Sequence, residues 1–94
     1  MRPPELKALY QTLVHSSFSF MPHGTHPLED VYRRVQEQFP HWCDDAYLCS
    51  QNCSHGYHSP EWRHTVRTAL NIAKSEAGPV RRGPGKAAWT FVGA

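Results

Sequence analysis

Apolar side chains recur with helical spacing in three stretches of the chain, which prolines and glycines separate. In the first stretch the intervals are three and four residues, which places the apolar positions on one face of a helix. Pro3 and Pro4 suit the first turn of this helix, because backbone N–H groups there have no helical acceptor. The apolar stripe consists of Leu6, Leu9, Tyr10, Leu13 and Val14.

A second helix is predicted from about Pro27 to Phe39. Pro27 fits its first position, and the helix dipole favours the acids Glu29 and Asp30 in the first turn. Pro40 ends it, because proline has no N–H to continue the hydrogen bonds. Its apolar positions are Leu28, Val31, Tyr32, Val35 and Phe39.

Between these two helices, serines alternate with Phe18 and Phe20. The alternation predicts a short extended piece that packs on the core. Pro22 and Gly24 predict the turn that follows it.

The clearest local signal begins at Ser59. As an N-cap followed by Pro60 at the first helical position, Ser59 opens a helix that is predicted to reach about Glu76, before Gly78. Its apolar stripe is Trp62, Val66, Ala69, Leu70 and Ala73. From this stripe we expect Trp62, Val66 and Leu70 to face Val31, Val35 and Phe39.

Residues 80–92 predict a β-hairpin. The loop Gly83-Pro84-Gly85 lies between two arms of β-forming residues, and Trp89 and Phe91 share one face of the second arm. The predicted fold class is therefore mainly α with a small β-hairpin. The order of elements is that of a winged helix-turn-helix domain over residues 27–94, and residues 1–26 form an additional N-terminal helix and linker segment.

The composition is that of one small domain with a modest core, since the chain has 94 residues. No apolar run approaches the roughly 20 residues of a membrane helix, and the N-terminus lacks the apolar region of a signal peptide. Three cysteines close together make a poor disulfide framework, because their number is odd. We therefore expect a cytoplasmic protein with no membrane partner.

The formal net charge of +2 hides an asymmetry along the chain. Residues 1–60 carry a net charge of −2, whereas residues 61–94 carry +4. A basic C-terminal third is typical of a surface that binds a polyanion, and a solvated charged surface is the alternative explanation.

The predicted long helix, residues 59–76, carries the residue types that read DNA. Arginine pairs bidentately with guanine, asparagine pairs with adenine, and lysine binds phosphate. The helix is predicted to dock in the major groove of double-stranded DNA, and the wing, residues 80–92, to lie on the backbone. The predicted DNA-binding residues are Arg63, His64, Arg67, Thr68, Asn71, Lys74, Arg81, Arg82 and Lys86.

Three segments also carry a family resemblance: SPEWRHTVRTAL from Ser59, GPVRR from Gly78 and GKAAWTF from Gly85. Together they resemble the winged-helix module of restriction endonucleases, particularly modification-dependent enzymes with an HNH-type nuclease elsewhere in the chain. The resemblance spans roughly residues 27–92, and the two alanines between Lys86 and Trp89 depart from the pattern. It implies an N-terminal recognition domain that binds DNA, with or without modified bases or backbone, and that does not cut it.

A cysteine- and histidine-rich segment follows the second helix, where Asp44–Cys49 predicts one or two helical turns and residues 50–59 a polar loop. Soft sulfur and imidazole ligands suit zinc, and the spacing of Cys49 and Cys53 fits a ligand pair. No second clean pair exists, and free cysteines are common core residues. We predict no metal and no cofactor, with Cys43, Cys49, Cys53 and His58 as the main candidate ligands and His41 and His55 as further ones.

Two further function classes remain as alternatives. In a protein–protein interaction module, zinc-stapled through the Cys/His loop or not, the N-terminal helix and the Phe18/Phe20 segment would be the contact surface. In an enzyme, Cys53 with His58 or His64 would form a nucleophile–base pair, but nothing marks an oxyanion hole or an orienting carboxylate. We predict that this chain alone is not an enzyme. The oligomeric state stays open, with dimerisation through the N-terminal helix as one arrangement.

Overall fold

The computed structural model of the protein describes residues 3–46, 60–75, 78–85 and 87–92. Three α-helices and three β-strands form the described part, and a short 3-10 helix at Pro40–Trp42 follows the second α-helix. The elements in chain order are α1 (Pro3–Ser16), β1 (Gly24–Pro27), α2 (Leu28–Gln38), α3 (Glu61–Ala73), β2 (Val80–Arg82) and β3 (Ala88–Phe91). The mainly helical class with a small antiparallel sheet is thus confirmed.

The strands form one antiparallel sheet in the order β1-β3-β2. The predicted hairpin is its β2–β3 part, in which Val80 lies opposite Phe91 and Arg82 opposite Trp89. Strand β1 was not predicted, and it pairs with the other edge of β3. Thr25 lies opposite Thr90 there, and the two side-chain oxygens are 2.8 Å apart in a hydrogen bond.

Residues 25–27, interpreted from the sequence as the entry to a helix, belong instead to this strand. Gly-Thr-His-Pro has little β-propensity of its own, so the pairing with β3 decides its conformation. Pro27 is tolerated because β1 is an edge strand, where a missing N–H costs no ladder hydrogen bond. Helix α2 therefore begins at Leu28, whose N–H donates to the carbonyl of Ala87 at 2.8 Å.

Helix α1 belongs to the same core as the rest of the chain. Leu9 and Leu13 are fully buried and lie in one cluster with the buried residues of α2, α3 and the sheet. The predicted division between residues 26 and 27 falls inside β1, and core residues from both sides of it pack together.

Helix α3 has the predicted phase, since Trp62, Val66 and Leu70 are all buried and Leu70 is 0% exposed. Its most extensive packing partner is α1, not α2 as the sequence suggested. The helix also ends at Ala73, before the predicted Glu76. Lys74 is extended, and the N–H of Ser75 donates to the carbonyl of Val80 at 2.9 Å, which ties the chain to β2.

The extended piece predicted around Phe18 and Phe20 is a compact turn. Ser17 and Phe18 have φ angles of 51° and 57°, and the N–H of Met21 donates back to the carbonyl of Phe18. This turn inserts Phe18 into the core, where it is 1% exposed and packs against Phe91 of β3. Burial of the ring thus outweighs the cost of left-handed backbone at two non-glycine residues.

The turn of the hairpin requires glycine at position 83. The N–H of Gly83 donates to the carbonyl of Ala88 at 2.9 Å. A Cβ atom on Gly83 would lie 2.9 Å from the carbonyl carbon of Ala88, which is too close. Glycine therefore permits the narrow approach that brings β2 and β3 into register.

Candidate nucleic-acid interface

The solvent-facing side of α3 is polar. Thr68 and Asn71 are exposed, and Lys74, just beyond the last helical residue, is exposed as well. Lys74 Nζ lies 3.4 Å from Asn71 Oδ1, and the amide nitrogen of Asn71 donates to the carbonyl of Arg67 at 3.1 Å. These three predicted DNA-binding residues therefore form one accessible strip.

Arg67 lies at the edge of this strip and is partly buried. Its Nη1 donates a hydrogen bond of 2.9 Å to the hydroxyl of Tyr32 in α2. Burial raises the pKa of Tyr32 above its ordinary value, while the hydrogen bond and charge of Arg67 act in the opposite direction. The hydroxyl thus stays protonated at neutral pH and links α2 to α3.

Arg63 is the predicted site residue most involved in packing. Its guanidinium carbon lies 5.1 Å from the ring centre of Tyr32 and 5.5 Å from that of Trp62. Glu29 approaches it at 3.9 Å, and its Nε is buried without a hydrogen-bond partner among the described residues. Cation–π contacts with two rings hold this side chain beside α2.

The hairpin and the end of α3 enclose an open, basic groove. Lys74, Ser75, Arg81 and Arg82 line a space of about 580 Å³. The Nε of Arg81 donates to the carbonyl of Gly78 at 2.9 Å, and the guanidinium carbon of Arg82 lies 5.0 Å from the ring centre of buried Trp89. Both arginines are therefore oriented by the fold, and Arg82 remains exposed.

The charges of this groove contrast with those of α2. On α2, Asp30 contacts Arg33 and Arg34, and it accepts from His26 of β1 at 2.8 Å. Burial alone would raise the pKa of Asp30, but the hydrogen bonds and charges of the two arginines hold it below its ordinary value.

No carboxylate in the described parts of the chain pairs with the three cations of the groove, Lys74, Arg81 and Arg82. Unpaired cations around a concave surface are what a phosphate-bearing ligand needs.

Two further residues, His64 and Lys86, were also predicted to bind DNA. His64 is only partly exposed, on the same side of α3 as Thr68. Lys86 lies outside the described residues.

The sequence did not point to three residues of this region, namely Tyr32, which is buried beneath the surface, and Ser75 and Ile72, which are exposed. Tyr32 had been assigned only to the core stripe of α2, and Ser75 carried no signal. Ile72 is 59% exposed, and its position outside the apolar stripe of α3 was the available clue.

Of the candidate metal ligands, only Cys43 is described. It is buried, and its thiol lies 4.0 Å from the carbonyl oxygen of Val35. Burial, with a smaller contribution from the charge of Asp45, raises its pKa to about 12. Cys49, Cys53 and His58 lie outside the described residues, as does the second half of the helix predicted at Asp44–Cys49, and no group of potential metal ligands occurs in the part that is described.

The surface required by the interaction-module alternative is only partly available. Phe18 is buried, so it cannot contact a partner. Phe20 is half-buried and packs edge-on against Phe39, with ring centres 5.6 Å apart, and Phe39 stacks on Trp42 at 5.5 Å. These three rings are also packed against the core, and Phe20 lies 5.9 Å from the ring of Phe18.

Two further observations concern membrane-spanning helices and similarity to other proteins. None of the described helices has both the length and the apolar character needed to cross a membrane. Comparisons with family models, with curated proteins and with solved structures gave no significant match.

Proposed function

We propose that this chain is a DNA-binding module of the winged helix-turn-helix type. In this proposal α3 lies in the major groove of double-stranded DNA and the β2–β3 hairpin is the wing, which contacts the backbone. The order of the described elements supports it, because α2 precedes α3 in the chain and α3 is followed by the hairpin. By the resemblance of residues 59–91, the module is the recognition domain of a restriction-type nuclease and has no catalytic role itself.

The basic groove is the observation that carries this proposal. Lys74, Arg81 and Arg82 come from the end of α3 and from β2, and the fold brings them together around one open space. Phosphate oxygens are strong acceptors for lysine and arginine, and such contacts set the position of a protein on a duplex. The exposed strip of Thr68 and Asn71 continues from this groove along α3 through the contact of Asn71 with Lys74.

The structure refines the roles that the sequence assigned to the arginines of α3. Arg63 is held between two aromatic rings, so we propose that it supports the position of α3 and does not read a base. Arg67 uses one of its five N–H donors on Tyr32 and keeps others for DNA. Base reading is therefore assigned chiefly to Thr68 and Asn71, with Arg67 at their edge.

A salt titration of duplex binding tests the proposal. Fluorescence anisotropy of a labelled random-sequence duplex should give an affinity that falls log-linearly with salt, with a slope of about −0.9 for each phosphate neutralised. Arg82→Ala should make this slope shallower by about 0.9. Lys7→Ala is the matched control, because it also removes one exposed positive charge, but from α1. Its slope should equal that of the wild type.

An absence of salt-dependent DNA binding would assign this protein to a different function class. If the wild type shows no salt-dependent affinity for any duplex, with modified or unmodified bases, the DNA proposal is wrong. The interaction-module alternative would then take its place, with the half-exposed rings of Phe20, Phe39 and Trp42 as the surface to mutate first.

A further inference from the structure

Ile72 is the large hydrophobic residue with most exposure in the described part of the chain, at 59%. One exposed isoleucine is ordinary on a protein surface. Ile72 matters here because of its position on α3. In the sequence it lies between Asn71 and the basic residue Lys74, which are both assigned to DNA binding above. An apolar group in that position would enter the groove of a duplex together with the polar residues around it.

Thr68 extends this apolar feature by one helical turn. Thr68 and Ile72 are four residues apart, so they are neighbours on the helix surface. The hydroxyl of Thr68 donates to the carbonyl of His64 at 3.1 Å. Since the hydroxyl proton is used within the helix, exposed Thr68 offers a ligand its methyl group and a hydroxyl oxygen that can only accept. The two side chains therefore form a short apolar strip on an otherwise polar surface.

Asn71 lies directly beside this strip and supplies the complementary polar contact. Its amide nitrogen and oxygen take part in bonds of 3.1 Å and 3.4 Å with Arg67 and Lys74, and the side chain is exposed. These exposed contacts can be exchanged for contacts with a base. In the major groove, adenine presents an acceptor and a donor that match a carboxamide, and the thymine paired with it presents a C5-methyl group.

We propose that the strip of Thr68 and Ile72 reads the C5-methyl group of a pyrimidine in the major groove, and that the pyrimidine is the thymine of an A·T pair. The inference rests on the DNA binding proposed above. Thymine and 5-methylcytosine carry the same methyl group, so the apolar strip fits both. Asn71 decides between them, because the base opposite thymine is the adenine that its amide can bind, whereas the base opposite 5-methylcytosine is guanine.

Four alternating duplexes separate these sources: dA·dT, dA·dU, dG·dC and dG·5-methyl-dC. The two members of each pair differ only in the C5-methyl group. The wild type should bind dA·dT about three- to fivefold more tightly than dA·dU, which is the effect of burying one methyl group. Ile72→Ala should lose most of this preference, and Thr68→Ser, which keeps the hydroxyl, should show a smaller reduction.

The variants also show whether the preference for the methyl group arises from α3. Ile72→Ala should keep the wild-type salt slope, since it removes no charge, and the protein should stay folded because the side chain is exposed. Lys7→Ala is again the control and should keep the full preference for dA·dT over dA·dU.

Each remaining outcome has a definite meaning. A methyl preference in the dG·dC pair alone would overturn the assignment to thymine and transfer the strip to 5-methylcytosine. Equal affinity for all four duplexes, with normal salt dependence, would overturn methyl reading and leave the proposed DNA binding standing. If no duplex binds, both proposals fail.

Discussion

The hydroxyl of Tyr32 accepts a hydrogen bond from Nη1 of Arg67 at 2.9 Å, which joins the two helices that precede the hairpin. The ring of the same tyrosine packs edge-on against Trp62, with centres 5.8 Å apart, and Arg63 lies over its face. One side chain of α2 thus fixes three residues of α3. Helix α3 packs mainly on α1, and Tyr32 is one of the side chains that link it to α2.

Tyr32→Phe should therefore lower the free energy of unfolding by about 0.5–1.5 kcal/mol, the usual value of one intramolecular hydrogen bond. The loss should come from the pair with Arg67. A double-mutant cycle with Arg67→Met, measured by urea denaturation, should give a coupling energy of at least about 0.5 kcal/mol. Strictly additive effects would mean that the bond contributes nothing to stability.

Leu70 and Ile72 give a matched comparison of buried and exposed apolar residues on one helix. Leu70 is 0% exposed and Ile72 is 59% exposed. Leu70→Ala should cost about 2–5 kcal/mol, whereas Ile72→Ala should stay within about 0.5 kcal/mol of the wild type. Thermal and urea denaturation followed by circular dichroism would measure both. Similar losses for the two variants would contradict the orientation of α3.

The long amphipathic elements could be predicted from sequence, because their apolar spacing and their prolines act locally. The stripes of α1, α2 and α3 and the hairpin around Gly83 are of this kind. Strand β1 could not be predicted, since only β3, more than sixty residues later, gives Gly24–Pro27 an extended conformation. Prediction of the candidate site succeeded and failed for the same reasons. Residue type indicated Asn71 and Arg82, but the capture of Arg63 by Tyr32 and Trp62 depends on helix packing.

Cys43 should resist alkylation in the native protein. Its thiol is buried and its pKa is raised to about 12, so the reactive thiolate is very rare near neutral pH. Iodoacetamide at about pH 8 should leave Cys43 itself unmodified, as fragmentation mass spectrometry that distinguishes it from Cys49 and Cys53 would show, and should modify it in concentrated urea. Rapid modification without denaturant would place Cys43 at the surface.

Asp30 should stabilise the fold in a pH-dependent way. Its folded-state pKa lies below its ordinary value, so its contribution is present above about pH 4 and is lost as the pH falls through the folded-state pKa. At neutral pH, Asp30→Asn should cost about 0.5–1 kcal/mol, through the arginines and the helix N-terminus. The difference between variant and wild type should shrink on acidification. Urea denaturation over a pH series would measure it, and a constant difference would show that the carboxylate charge is not involved.

Asn71 and Arg82 should affect DNA binding in different ways, because one is assigned to a base and the other to a phosphate. A duplex enriched from a random library by the wild-type protein, together with a scrambled duplex of equal composition, gives the comparison. Asn71→Ala should cost about 1–3 kcal/mol on the enriched duplex and much less on the scrambled one, since it removes a base contact and no charge.

Arg82→Ala should weaken both duplexes equally and make both salt slopes shallower by about 0.9, because a phosphate contact carries no sequence information. The ratio of the two affinities is therefore the decisive quantity. It should collapse for Asn71→Ala and persist for Arg82→Ala. A collapse for Arg82→Ala with persistence for Asn71→Ala would reverse the two assignments and make the hairpin, rather than α3, the element that reads sequence.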